Sequence, residues 1–556
     1  MTGVQTCALP IYSAESARIW SDQPVKFAFD QHSGESDYGI QLDLVMADLA
    51  IKKKALPIED VKSVHLMRHV VMNLAMPEGD GSQVTPVRIE CHSSFQLDRR
   101  DAGQTAFAVF DRQVSVKRRS ATGKIDSLDG QTLEVTFARD MTAQSSAGAE
   151  GHQSSARNVK FKPTLLVVRG APAIFRSEDK DAHGRMAFAR YDAVQRMLAL
   201  SSYSNNPSQL RRVAQTEASP VHLRLGNSEL ESQQIGLKHD ADNRVQEVVC
   251  RGAGWLKRHT VEDGEEELSV TWKDQLRKYQ DAGSPLDVID VTGNVVLEQP
   301  KQNARFTAGY VKLWMDPLNV AASASNSDAE PQSRQPAMNP RRLLAVQNVT
   351  MTSPRLNGTA HELQVWFENV DIRAKPTKNS QPQMLDLSMG KSRIQPVSGQ
   401  AEKFPVFEDD EPAPEQPPAV VEAKLIRALI VGRGPTRAPD LAEIYSEGNV
   451  SLTQPREDAP RPLTIKAEQM HLRNQGLNRQ EVHLVGEPAK LDDPQLDLQG
   501  REVFFDRHRN LVWVDGQGEL KLPVPRDLEG KALANPTKLT ITWNEQMVFD
   551  GLVDRK

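Results

Sequence analysis

The chain has 556 residues, with 68 basic against 74 acidic side chains and a formal net charge of −6. So small a net charge over this length, with no basic run interleaved with aromatics, gives no ground for expecting nucleic acid as a partner. No stretch approaches the ~18 consecutive apolar residues of a membrane helix, and an aromatic content of 5% suits sheets with much exposed surface better than a thick core. The length itself predicts about three or four domains.

The opening "MTGVQTCALPIY" lacks the basic and apolar regions of a secretory signal. Read back into codons, "GVQTCALPI" matches a common short-read sequencing adapter. Residues 1–11 are therefore expected to be an adapter-derived artefact, to pack against nothing and to join no sheet, with the natural N-terminus upstream. Setting Cys7 aside with that segment leaves Cys91 and Cys250, which allow one disulfide without requiring it.

Residues 12–142 read as a partial β domain. Within it "EDVKSVHLMRHVVMNLAM" (59–76) is ambiguous between helix and strand and is read as strand. A small, polar stretch at 143–159 reads as a linker. Residues 160–320 form a second β domain and 321–341 a second linker rich in Ser, Ala and Pro. A β segment of a third domain follows at 342–373, then a Pro-rich acidic linker at 374–420. Residues 421–524 form the β domain with the clearest patterning. After the break "PVPRDLEGKALANP", 525–556 resume alternation and read as the start of a further repeat continuing beyond Lys556. Linker compositions of this kind bury too little apolar surface to offset the entropy of ordering. Elsewhere the dominant hydrophobic period is two, that of strands with one buried face.

Three elements recur. The first is "GNVVLEQ" (293–299) and "GNVSLTQ" (448–454), with looser copies at "GAGWLKR" (252–258) and "GQGELKL" (516–522). Each reads as a half-buried strand entered through a glycine. Val295 and Leu297, Val450 and Leu452, and Leu520 take the inward positions. The second is "FTAGYVKL" (306–313), "IKAEQMHL" (465–472), "LQGREVFF" (498–505) and "LDGQTLEV" (128–135). Its pattern is apolar, x, small, x, x, apolar, x, apolar. A spacing of two keeps a side chain on one face of a strand, and a spacing of three moves it to the other. The buried phase therefore flips beside Ala308, Ala467 and Gly500, where a bulge or bend is expected. Phe306, Ile465 and Leu498 lie on one side of the flip; Val311, Leu313, Met470, Leu472, Val503 and Phe505 lie on the other. A strand bent in this way can line both walls of a groove. The third element is "RGAPAIF" (169–175) and "VGEPAKL" (485–491), whose Pro172 and Pro488 suggest a sheet edge or a strand entry.

In order, and most completely at about 441–524, these elements resemble the OstA/LptA-like family of lipopolysaccharide-transport proteins. The resemblance implies an all-β fold of several open antiparallel β-jellyroll ("β-taco") repeats joined by disordered linkers. It implies a non-enzymatic envelope protein, periplasmic or envelope-associated, with its signal or anchor upstream of Tyr12. The implied partners are a lipopolysaccharide-like glycolipid and other β-jellyroll proteins paired through edge strands; no cofactor, metal or nucleic acid is implied. The inward residues named above would then line a lipid trough. The same residues suit an ordinary sheet core, and sequence alone does not separate the two.

Other motifs carry less. "GAG" (252–254) and "GRG" (432–434) do not complete a dinucleotide fingerprint, because Trp255 and Pro435 stand where a helix should open. Asp192 and Asp506, each before a basic turn, read as hairpin residues rather than catalytic carboxylates. The alternatives to lipid carriage are a polysaccharide-acting enzyme on a repetitive β scaffold and a purely structural envelope repeat protein. The enzyme would need inward carboxylates, and here the inward positions are apolar or small.

Overall fold

A computed structural model describes residues 11–13, 16–29, 32–46, 58–78, 83–120, 123–139, 161–203, 219–242, 244–260, 263–317, 339–354, 356–369, 417–432, 440–455, 461–474, 480–494, 496–506, 508–526 and 532–550. These residues form an all-β protein, with two short 3₁₀ turns, Asp101–Gly103 and Pro300–Gln302. The chain divides into two compact units, one covering residues up to Glu267 with Thr271–Tyr279, the other Leu268–Val270 with Gln280 onward.

The first unit holds β1 (Ile11–Ser13), β2 (Arg18–Ser21), β3 (Val25–Phe29), β4 (His32–Ser36), β5 (Ile40–Met46), β6 (Ile58–Met67), β7 (Val70–Glu78), β8 (Gln83–Cys91), β9 (Ser94–Arg100) and β10 (Thr105–Arg119). It continues with β11 (Ile125–Arg139), β12 (Phe161–Ser177), β13 (Ala182–Asp192), β14 (Met197–Ser201), β15 (Val221–Leu225), β16 (Ser228–His239), β17 (Val245–His259), most of β18 (Glu266–Trp272) and β19 (Gln275–Gln280). The second unit holds β20 (Asp287–Gln299), β21 (Ala304–Met315), β22 (Pro340–Thr352), β23 (Leu356–Asn369), β24 (Ala419–Gly432), β25 (Asp440–Gln454) and β26 (Leu463–Asn474). It ends with β27 (Gln480–Asp493), β28 (Leu496–Asp506), β29 (Leu511–Asp515), β30 (Gly518–Arg526), β31 (Ala532–Trp543) and β32 (Gln546–Asp550).

The long strands share one device. Partway along each, the ladder slips. Thr292 pairs with Tyr310 and Val295 with Ala308, so β20 spends three steps where β21 spends two. The same slip separates Glu447 from Val450 against β26. An extra residue reverses the parity of every side chain beyond it and bends the strand. The backbone takes up the slip in consecutive left-handed residues: Gly293 and Asn294, Gln347 and Asn348, Gly448 and Asn449, and in the first unit Arg112 and Gln113. Left-handed backbone costs an ordinary L-residue about 1–2 kcal/mol, and Gly and Asn bear it best. This is the physical content of "GNV". The glycine is not a strand entry, as its position before the alternation suggested, but the corner inside a long strand.

The expected flips coincide with this corner. Val450 stands opposite Ala467 and Ala489 opposite Gly500, with slips beginning at each. A Cβ on Gly500 would come within 2.2 Å of a Val514 methyl, so the corner needs a small residue there. Pro172 and Pro488 also lie at the corner, inside β12 and β27, each in a cis peptide bond. They occupy the longer side of four-residue slips, Arg169–Ala173 and Val485–Ala489. There a proline has no ladder hydrogen bond to forfeit, so neither an edge nor a strand entry is required.

Several expectations are corrected by the pairing. Antiparallel order is broken where β23 and β24 run parallel from Leu356↔Ala419 to Asn369↔Gly432. The stretches read as linkers do not part separate domains. They connect strands that are direct neighbours in a ladder, β11 with β12, β21 with β22 and β23 with β24; the stretches themselves lie outside the described residues. Residues 532–550 are joined to the strands before them, β31 pairing with β30 and β32 with β29. At the other end residues 1–10 lie outside the described residues, but Ile11 pairs with Trp20 in a short hairpin, so it does join a sheet. The ambiguous 59–76 segment is the strand pair β6 and β7, and Cys91 and Cys250 are free and buried. Asp192 and Asp506 cap hairpin turns by accepting hydrogen bonds from the backbone amides of Gln195 (2.9 Å) and Arg509 (3.1 Å).

Gly448 has φ +82°, and a Cβ there would lie 2.7–2.9 Å from the carbons of the Lys424 side chain. We expect Gly448→Ala to lower unfolding free energy by about 1–2 kcal/mol in denaturant titrations, with Asn449→Gly close to neutral.

A candidate functional site in the apolar interior

The corner divides the second unit into two arms. Arm A comprises the half-strands 295–299, 304–308, 349–352, 356–360, 419–423, 450–454, 463–467, 489–493 and 496–500, with β30 and β31. Arm B comprises the half-strands on the other side of each slip, with β29 and β32. At β28 the arms part fully: residues 497–499 pair with β30 and residues 502–506 with β29. Because parity reverses at the corner, the apolar faces of both arms point into the same space. A single buried cluster joins Val450, Ile465, Ala489, Leu498 and Leu520 from arm A to Met470, Leu484, Val503 and Val514 from arm B.

Burial falls off with distance from the corner along almost every strand. Val295, Val311, Val450, Met470 and Val503, the inward residues nearest the corner, are buried. Two residues further out, Leu297, Leu313, Leu452, Leu472 and Phe505 are only half-buried. Buried Ile465, Leu498 and Leu520 likewise give way to half-buried Leu463, Leu496 and Leu522. Phe306, outward of buried Ala308, fits the same rule. The interior is therefore closed at the corner and progressively open toward the rim. The fourteen inward positions read from the sequence thus divide into eight closed against solvent and six that keep accessible apolar surface.

At the C-terminal end the interior is open. Leu539 and Ile541 stand opposite Leu522 and Leu520, and Phe549 opposite Val512, so all three lie on inward faces. Their exposures are 47%, 40% and 55%. Sequence reading missed them, having assigned 525–556 elsewhere; the alternation in "KLTITW" was the available signal. Among the described residues of this unit, the buried polar ones are Ser269, Ser446 and Asp506.

The outward face of arm B is polar and differently organised. Glu443 lies on it, hydrogen-bonded to His471, with the Arg473 guanidinium 3.4 Å away. Burial alone would raise its carboxyl, but the hydrogen bond and charge of His471, followed by Arg473, outweigh burial and hold it below the usual carboxylate value. No family model matches the chain, and no curated protein matches it.

Met470 is 0% exposed, so Met470→Ala should cost about 2–5 kcal/mol in chemical denaturation. Leu472→Ala, two residues nearer the rim, should cost clearly less. A carboxyl whose folded value is depressed stabilises the fold above its unfolded value and loses that contribution as pH falls through the folded one. Glu443→Gln should therefore destabilise by about 1–2 kcal/mol near pH 7. The gap between variant and wild type should close as pH falls through the depressed folded value of Glu443.

Proposed function

We propose that this protein is a non-enzymatic carrier of an amphipathic, lipopolysaccharide-like glycolipid in the bacterial envelope. Its acyl chains would lie between the two arms, which act as the walls of an open β-jellyroll trough. The observation that supports this reading is the burial gradient: two facing apolar walls, closed at the corner, keep half-covered Leu, Phe and Ile side chains at the rim and at the β31/β32 end. Each CH₂ removed from water contributes about 0.8 kcal/mol, so covering these rim residues with even part of an acyl chain gives useful affinity. A wall of near-constant apolarity along successive strands lets that burial persist as the chain slides. The headgroup stays outside, where the rim meets solvent. The residues at the corner act as the structural floor of this trough, and the rim residues are the ones that meet lipid.

The test is site-specific photo-crosslinking in envelope extracts. A benzophenone amino acid at Leu452 or Ile541 should capture glycolipid, whereas one at Ser451, which points away from the interior, should not. Equal labelling at Leu452 and Ser451, or none at any position, would overturn lipid carriage.

A further inference from the structure

The first unit carries a basic patch on the outward face of β12, β13 and β15 that the interior reading does not use. Ala173, Met186 and Val221 point inward from these strands and are buried. The alternate positions point outward. Arg176 stands directly opposite His183, and His183 directly opposite Arg224. In the next row Ile174 stands opposite Arg185 and Arg185 opposite His222. Five of the six positions in this grid of three strands by two rows are therefore basic. Side chains directly opposite on neighbouring strands have Cβ atoms about 5 Å apart, and like charges so placed are destabilising. The three arginines are exposed and the two histidines half-buried. Among the described residues Arg176, Arg185 and Arg224 join no ion pair; His222 lies 3.8 Å from Glu231. Glu231 is held in turn by Trp255, whose indole Nε1 donates to it at 3.1 Å. Arg224 keeps its Nε on the Gly226 carbonyl at 3.3 Å. Burial, followed by the charges of Arg176, His222 and Arg224, pushes the His183 imidazole below its ordinary value.

We propose that this patch binds a phosphomonoester dianion, carried either by a soluble phosphorylated metabolite or by a lipid headgroup. Basic side chains set opposite one another across a ladder oppose the pairing of their own strands. A doubly charged oxyanion seated among them turns that repulsion into attraction. Guanidinium groups match the donor geometry of phosphate oxygens and stay charged at physiological pH. A phosphomonoester is largely dianionic near pH 7 and presents three strong acceptor oxygens, enough to engage Arg176, His183 and Arg224 together. A carboxylate brings one charge and two oxygens. The patch measures two strand spacings, about 10 Å, by one same-face step, about 7 Å. That is room for one phosphate group among its donors. At its borders Asp129 on β11 faces the same way opposite Ile174, and Glu229 and Glu231 on β16 stand opposite Arg224 and His222. A long polyanion laid across the strands would meet a carboxylate at each border, whereas a single phosphate group stays between them. Glu178, two residues past Arg176, is engaged with the Ile125 amide, 3.0 Å away. The patch faces away from the apolar interior, so this inference does not rest on the glycolipid reading.

The test is isothermal titration of the whole protein at fixed ionic strength, with glycerol 3-phosphate as the soluble phosphomonoester and acetate as the carboxylate comparison. Phosphatidylcholine vesicles containing phosphatidic acid present the same group at a lipid surface, and vesicles containing phosphatidylglycerol present a phosphodiester instead. Saturable binding of glycerol 3-phosphate is expected, weakened at least about tenfold by the Arg176→Gln, Arg224→Gln double variant. Sedimentation with phosphatidic acid vesicles would assign the lipid headgroup as the source, and binding of the soluble ester alone a free metabolite. Both substitutions remove like-charge repulsion, so without ligand the variant should unfold at the same denaturant concentration as wild type or a higher one. Glycerol 3-phosphate should raise the midpoint of the wild-type protein only. Should the variant fail to fold, phenylglyoxal labelling of the wild-type protein gives the same answer: the ester must protect Arg176, Arg185 and Arg224 together. Absence of both saturable ester binding at millimolar concentration and phosphatidic acid sedimentation would overturn the proposal. So would acetate or phosphatidylglycerol binding as strong as that of the phosphomonoester, or unaltered binding by the double variant.

Discussion

A two-residue left-handed step in the middle of β20, β22 and β25 is the constraint on which the rest of the second unit depends. A strand alternates its faces without exception, so a single sheet has one inside and one outside. An odd residue at the corner, as at Gly293–Asn294 and Gly448–Asn449, exchanges those faces. That exchange lets one hydrogen-bonded sheet close its own two halves over a shared apolar space without a second sheet or a covering helix. Remove the step and the inward set of one arm would point to water. The small residues opposite the step, Ala308, Ala467 and Gly500, are its counterpart, since the bent partner backbone and its neighbours occupy the space a larger side chain would need.

The two faces so created have different chemistry. Inside, aliphatic side chains from both arms meet in a cluster whose members come from strands far apart in sequence, such as Val450 and Leu520. Outside, rings and charged groups lie in rows that follow the ladder register. The carboxylates there act mainly as orienting partners: Glu443, Glu447 and Glu502 each fix a neighbouring ring. A strand such as β26 thus serves both surfaces, with Met470 inside and His471 outside.

Much of this was legible in the sequence, for a definite reason. The flip between Ala467 and Met470 is a local parity statement, carried by three consecutive spacings, and the structure places a register slip there. Inward positions follow from the same parity. What escaped was everything that depends on which strand lies beside which. Composition marked 374–420 as a linker, but composition does not reveal that β23 and β24 meet across it as parallel neighbours. Pro172 and Pro488 were read from the general avoidance of proline in ladders, which holds for regular pairing and lapses at a bulge. The outward row Tyr445, His471, His483, Phe504 and Trp513 is invisible in one dimension, because its successive members are 9 to 26 positions apart in the chain and are aligned only by register.

The parallel junction between β23 and β24 has an evolutionary consequence. Antiparallel neighbours joined by a tight hairpin constrain their connection, since the turn helps set the register. Here thirteen residue pairs fix the alignment by themselves, from Leu356↔Ala419 to Asn369↔Gly432. The entropy of closing a flexible loop rises only logarithmically with its length, by about 0.6 kcal/mol for each doubling. For any flexible connection between two such strands, lengthening would therefore cost less than one buried side chain contributes. Of the joints in this unit, the one between β23 and β24 is the place where a lineage could splice in a new module while leaving the corner, the interior and the outer row in register.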